Sequence, residues 1–211
     1  MANNRLSERT VLSDAAQRKQ SSREAKQQQI LDATVRCVRL KGFHATSMTD
    51  IAREAKISVG VIYLYFENKE AILEAIASQD LAEMRAKFDR FEGVAAEDLM
   101  DVMIEGLDEP LTRHLDHEHG ALALEMVVEA ARNPKVQAIM QAIDHQGREL
   151  SQQITSRLGY DPDPSADVRY DIIATLFEGM MIRSVLNPGS DRKEFRDLFK
   201  KVFRYVLTCT D

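Results

Sequence analysis

Three helix-starting residues, Ser47, Ser58 and Asn68, fall within one short run, TSMTDIAREAKISVGVIYLYFENKEAIL. Ser47 is followed three positions later by Asp50, which makes a reciprocal capping pair. Ser58 opens a helix to about Tyr65, and Asn68 opens another. The first two helices are too short to be stable alone, so they must be parts of a packed unit. Between them lie only Ala55, Lys56 and Ile57. Ile51, Ala55, Ile57, Ile62 and Tyr65 are spaced to face inward, and Ala52 is small enough for one helix to cross close over the other. Two short helices joined by a tight turn, the second opening on the small residues Ser58, Val59, Gly60 and Val61, are built to enter a DNA major groove. An ordinary helical hairpin of a core would place bulk at those positions.

The surrounding pattern is helical throughout. Ile30, Leu31, Thr34, Val35 and Val38 recur at helical spacing from about Arg23, and Lys41-Gly42 closes that helix with a cation and a glycine. Leu73, Ile76, Leu81, Met84, Phe88 and Phe91 continue the period after Asn68. Beyond Gly93 helix follows helix, with breaks near Pro110, Pro134, Pro162, Pro164 and Pro188. No segment alternates as a strand does. The expected fold is all-α, about nine helices: a three-helix helix-turn-helix head and a larger C-terminal helical domain for ligand binding and dimerisation. Boundaries are expected at 1–22 for a disordered polar tail, 23–70 for the DNA-binding head with its reading motif at about 47–66, and 71–211 for the second domain.

Charge agrees with that division. Of a net −6, residues 1–66 carry a surplus of five positive charges and the remainder a surplus of eleven negative ones. A basic N-terminal part suits phosphates through counterion release, although a solvated charged arm has the same composition. The tail itself is open to two readings. It has no role, or Arg18, Lys19 and Arg23 reach the minor groove. The two cysteines, Cys37 and Cys209, have neither disulfide nor metal spacing. Without a leader-like or membrane-spanning segment, the chain is expected in the cytoplasm.

The run from Arg23 to Ile76 resembles the DNA-binding domain of the TetR family of transcriptional repressors. The residues that carry the resemblance are Gly42-Phe43, Thr46-Ser47, Asp50-Ile51-Ala52, Ile57-Ser58, Gly60, Ile62-Tyr63, Tyr65-Phe66 and Lys69-Glu70. They match in one ungapped register over about a quarter of the chain. The resemblance implies phosphate contacts from Ser47, Tyr63 and Lys69, with Tyr65 near the backbone, and base contacts from Thr49, Val59, Gly60 and Val61. Ser58 opens the reading helix. Val59 and Val61 have no hydrogen-bonding group and would pack on thymine methyls. Where the family's turn has glycine this chain has Lys56, which costs about 1–2 kcal/mol if that residue is left-handed and adds a charge near the duplex.

In the second domain, residues from about Ser165 to Leu186 form a helix apolar nearly all round, and about 191–208 form one with a broad apolar stripe. Ile172, Leu176, Gly179, Phe199 and Phe203 are the expected dimer face. The alternative is that both helices fill a single chain's core. Phe88, Phe91, Met100, Met103, Met126, Met140 and Phe177 are candidates for an effector pocket, as methionine-rich linings adapt to varied ligands. Glu125 and Glu129 interrupt LALEMVVEA one turn apart and face either a cationic ligand or solvent, with solvent expected for at least one; Glu129 joins the pocket candidates. His114, His117 and His119 in HLDHEH have metal-capable groups, but the polar setting reads better as a solvated helix end, with no metal.

The function expected is a homodimeric repressor that leaves a pseudo-palindromic operator on binding a small-molecule effector, with no cofactor and no membrane partner. An activator, a ligand-independent regulator and an interaction module that no longer reads DNA remain open. No phosphate loop, nucleophile elbow or paired catalytic signature points to an enzyme.

Overall fold

The computed structural model describes residues 2–159, 166–189 and 193–209, with side chains from residue 20 onward. Pro162, Pro164, Ser165 and the start of the last helix at 191–192 therefore lie outside the described residues, as do the side chains of Arg18 and Lys19. The chain divides into two units, Met1–Leu73 and Glu74–Asp211. Ten helical segments and no strand are found among the described residues.

The first unit contains α1 (Ala2–Ala45), α2 (Met48–Glu54), α3 (Val59–Tyr63) and the opening of α4 (Lys69–Asp89). α1 starts well before Arg23. Its first half is rich in Ala, Gln, Arg, Lys and Glu, which favour helix without needing an apolar stripe, and side chains 20–25 are all exposed. Burial begins in earnest at Ile30, and Ala33, Thr34, Cys37 and Val38 continue one face. The Thr34 hydroxyl turns back to the Ile30 carbonyl at 2.8 Å, which satisfies it inside that face. At Gly42 the backbone turns to φ 79°, ψ 158°, a left-handed excursion that glycine makes without penalty. Phe43 follows the turn and is 1% exposed, and Ile51, Ala52, Ala55, Ile62 and Ile72 are buried in the same unit. The Gln29 amide donates to the Ala55 carbonyl at 2.7 Å and ties α1 to the end of α2.

The second unit continues α4 and adds α5 (Ala96–Gly106), α6 (Asp108–Leu115), α7 (His117–Ala130), α8 (Pro134–Arg157), α9 (Ala166–Leu186) and α10 (Lys193–Thr208). Helices α5 and α6 part at Leu107 alone. Its side chain is buried, so nothing polar in the sequence marks that break. Pro134 opens α8 behind Asn133, whose side chain accepts from the Lys135 N–H at 3.1 Å. The core gathers Leu107, Leu111, Leu115, Met180, Phe199, Phe203 and Leu207. α9 is the spine: it packs against α6, α7, α8 and α10. α7 crosses it closely at Gly120, where a Cβ would meet Ser184 Oγ at 2.3 Å and the Met181 carbonyl at 2.6 Å. The buried Arg169 guanidinium closes the end of α10 by donating to the Val206 carbonyl at 2.6 Å and the Cys209 carbonyl at 2.5 Å.

The dimer-face expectation needs one correction. Phe199 and Phe203 are 6% and 7% exposed within the single chain and belong to its core. The apolar residues that α10 leaves exposed are Phe195, Leu198, Val202 and Tyr205. The stripe thus has a covered side and an uncovered side within the single chain. On α9, Ile172 is exposed and Leu176 partly buried, and a Cβ at Gly179 would meet nothing.

Candidate nucleic-acid interface

The reading motif is assembled by local bonds. Ser47 caps α2: its hydroxyl oxygen accepts from the Asp50 N–H at 3.2 Å, and the Asp50 carboxylate accepts from the Ser47 N–H at 3.0 Å. The expected capping box is therefore present. The same carboxylate takes the Ser47 hydroxyl at 2.5 Å and pairs with Lys41 at 2.5 Å. The bonds from Lys41 and then from Ser47 hold the Asp50 carboxyl well below the usual carboxylate range. Ser47 is thus exposed but fully engaged, and reaching a phosphate requires its hydroxyl to turn from Asp50.

Ala55 ends α2 and Lys56 follows with φ 54°. The left-handed turn expected of the family's glycine is thus made by a lysine, and its side chain is exposed. The backbone re-enters extended geometry at Ser58, whose hydroxyl oxygen accepts from the Val61 N–H at 3.3 Å and so starts α3. Ile62 is wholly buried and seats the helix. Opposite it, Gly60 is exposed, and Val59 and Val61 are half-buried. A Cβ on Gly60 would find only Ser58 Oγ, 3.9 Å away. Nothing inside the head requires glycine there.

Thr49 and Tyr63 are exposed, Tyr63 by 55%. Tyr65 is half-buried, with the Arg23 guanidinium 5.8 Å from its ring centre. Lys69 is placed differently from the phosphate ligand expected. Its ammonium donates to the carbonyls of Phe43 (2.9 Å), His44 (3.1 Å) and Thr46 (3.3 Å) and lies 4.6 Å from the Phe43 ring centre. Those three bonds account for all three of its hydrogens. The sequence reading gave no role to Leu64, at the end of α3 and 76% exposed. Its apolar type signalled core, and only the turn after Tyr63 carries it outward.

The matches to known proteins follow this geometry. Residues 30–76 match the family described as bacterial regulatory proteins, tetR family, and residues 94–208 match the tetracyclin repressor-like C-terminal domain. The chain belongs to the TetR family. The N-terminal match covers the helix-turn-helix just described. The HTH-type transcriptional regulator UidR of Escherichia coli K12 is 35% identical over 115 residues, covering 53% of this chain and 55% of that protein. The nicotine-responsive transcriptional repressor HdnoR of Paenarthrobacter nicotinovorans is 29% identical over 110 residues, covering 52% and 56%. The chain thus spans about half the length of the curated relatives it matches. In fold it is similar to Salmonella enterica GusR, with TM-score 0.71 and 23% identity over 88% of this chain and 96% of that one. Bacillus subtilis FadR in complex with stearoyl-CoA gives TM-score 0.63 and 19% identity over 87% and 99%.

As in other TetR-family chains, the second unit is helical, but its expected pocket residues do not form one set. Met100, Met103 and Phe177 pack against the same core. Phe88 and Phe91 meet each other edge-on, 6.2 Å between centres. Met126 and Glu129 are buried on α7, and Met140 is half-buried on α8. Glu129 accepts from the Asn133 amide at 3.1 Å, a bond at the α7–α8 corner. A concavity of about 450 Å³ is lined by Ile104, Lys200, Lys201, Arg204, Tyr205 and Thr208, and one of about 240 Å³ by Val168, Asp171, Ile172, Thr175 and Leu176. Neither contains an expected pocket residue. In the HLDHEH segment Asp116, His117 and Glu118 are exposed, whereas His114 and His119 are half-buried. Among the described residues no group of three or more His, Cys, Asp or Glu could hold a metal ion, and no helix is long and apolar enough to cross a membrane.

Proposed function

We propose that the chain is a homodimeric repressor, working in the cytoplasm, that binds a two-fold operator through α3 and leaves it when a small molecule binds the second unit. The observation that carries this is the outer face of α3. Gly60 is small where its own protein leaves space, and half-exposed Val59 and Val61 flank it. Such a face serves close approach to base edges, with the valines against thymine methyls. Thr49, Ser58 and Tyr63 border that face, and Lys56 and Tyr65 lie near the phosphates. Ser47 reaches a phosphate after releasing Asp50.

Two-fold sites call for two-fold proteins, and the exposed Ile172, Leu198, Val202 and Tyr205, with Leu176 and Gly179, supply an apolar face for a second copy. Among relatives, HdnoR is named for its response to nicotine and FadR was solved with stearoyl-CoA; this chain's effector is expected in the second unit likewise. Release is a population shift, so the effector must prefer the conformation that does not fit the operator. α4, which leads out of the head, is the connecting lever.

The test is selection of bound fragments from genomic DNA, then titration of the winners at two salt concentrations. One enriched two-fold site with a steep salt dependence supports the reading. Uniform weak binding with no enriched site refutes it. Replacing thymine by uracil across the half-site lowers affinity if the valines read methyl groups, and unchanged affinity removes that contact.

A further inference from the structure

His114 ends α6 and His119 lies in the first turn of α7, on either side of the break at Asp116. Their rings meet edge-on, 5.6 Å between centres. His114 also leans on Phe177 of α9 at 4.7 Å, and Phe177 meets Phe199 at 5.3 Å. Met100, Met103 and Ile104 pack against the same core. One imidazole thus lies against the aromatic cluster, and the other lies against the first.

Their bonding is incomplete. His114 Nδ1 lies 2.7 Å from the Pro110 carbonyl. A carbonyl only accepts, so the proton is on Nδ1 and Nε2 holds a lone pair. That Nε2 and both ring nitrogens of His119 have no protein partner among the described residues and are open to solvent, since no buried side-chain nitrogen or oxygen there lacks a partner. The charged groups nearby are committed elsewhere. Arg113 pairs with Asp80 at 2.5 Å and Glu83 at 3.6 Å, Lys87 pairs with Glu109 at 2.8 Å, and the Asp116 carboxylate accepts from the His119 backbone N–H at 2.8 Å. Burial, reinforced by Arg113, keeps both imidazoles neutral at pH 7, His119 down to about 4. The surroundings therefore offer an anion no uncommitted cation and a cation no uncommitted carboxylate.

We propose that His114 and His119 are the polar contact of the effector site and take an uncharged ring compound through a ring-borne hydroxyl. The hydroxyl donates to His114 Nε2 and accepts from the ring N–H of His119, while the ring extends the aromatic cluster. This assignment rests on the reading of the chain as an effector-released repressor.

The test uses the full chain with phenol as the probe and benzoate and phenyltrimethylammonium as charged comparators. Nuclear magnetic resonance follows the imidazole Cε1–H signals. Phenol at millimolar concentration is expected to move those of His114 and His119 and to leave His44 and His145 in place. His119→Phe, which keeps the ring and removes the nitrogens, is expected to weaken phenol binding about fivefold, the worth of one hydrogen bond. His119→Gln, which keeps a donor and an acceptor, retains more of the binding and serves if the first variant does not fold. Absent shifts, equal shifts with benzoate, or undiminished binding in the folded variants overturn the proposal. Phenol at both histidines with unchanged operator affinity supports the site and counts against effector release. A compound that releases the operator while leaving both signals unmoved overturns the site and retains release.

Discussion

The Lys69 ammonium lies 2.9 Å from the Phe43 carbonyl and 4.6 Å from the centre of the Phe43 ring. One side chain at the start of α4 thereby closes the end of α1 and seals the side chain that Gly42 throws into the core. Lys69→Met is expected to destabilise the head by about 1.5–3 kcal/mol, the range for hydrogen bonds to a charged group, as read by urea denaturation. Since the ammonium is engaged internally, the salt slope of operator binding is expected to stay the same, whereas loss of a phosphate contact would reduce it by about one.

Lys56 has φ 54°, and a left-handed non-glycine residue costs about 1–2 kcal/mol. Lys56→Gly relieves that cost but gives up about 0.5–1 kcal/mol of chain entropy. A small gain in stability is expected, with a large loss for Lys56→Val. If the lysine also meets a phosphate, the glycine variant is more stable yet binds DNA more weakly, which two titrations separate.

Gly120 and Gly179 predict opposite outcomes. A Cβ at Gly120 would lie 2.6 Å from the Met181 carbonyl, a backbone atom, so Gly120→Ala must push α7 off α9. A loss of about 1–3 kcal/mol and a lower melting temperature are expected. At Gly179 a Cβ meets nothing, and alanine gains about 1 kcal/mol of helix propensity. Any harm from Gly179→Ala must therefore come from outside the chain: sedimentation should show a weakened dimer, and an unchanged dimer would remove Gly179 from the interface.

Acid should weaken the second unit before its carboxylates titrate. Burial holds His114 and His119 below the usual imidazole range, His119 down to about 4. Unfolded histidine titrates near 6.5. Between those values the unfolded chain binds more protons than the native one, so stability falls as pH drops from about 6.5 towards 4. Melting temperatures across that range should decline in the wild-type chain and decline less steeply in His119→Phe.

The head was legible because its instructions are short-range. Ser47 and Asp50 are three residues apart, as are Ser58 and Val61, and their bonds follow from helix geometry alone. The left-handed turn at Lys56 was visible as a departure from a known pattern. Lys69 was not, because its partners lie 23 to 26 residues back and no local rule relates a lysine to carbonyls across a core. The edge-on meeting of His114 and His119 was not legible for a similar cause. His114, Asp116, His117, Glu118 and His119 form a polar string, and polarity along a string says nothing about which rings a tertiary contact will cover.

By itself the sequence determined the helical class and the family of the head, because caps, period and turn residues act within one or two turns of helix. Only the tertiary structure decided which side of α10 is core, with Phe199 and Phe203 inward and Leu198 and Val202 outward. It also decided that Gly120 is the close crossing and Gly179 open, and that His114 and His119 meet. Each of these depends on which helix lies opposite. An apolar stripe specifies that it must be covered, but the covering surface is chosen by packing among residues distant in sequence.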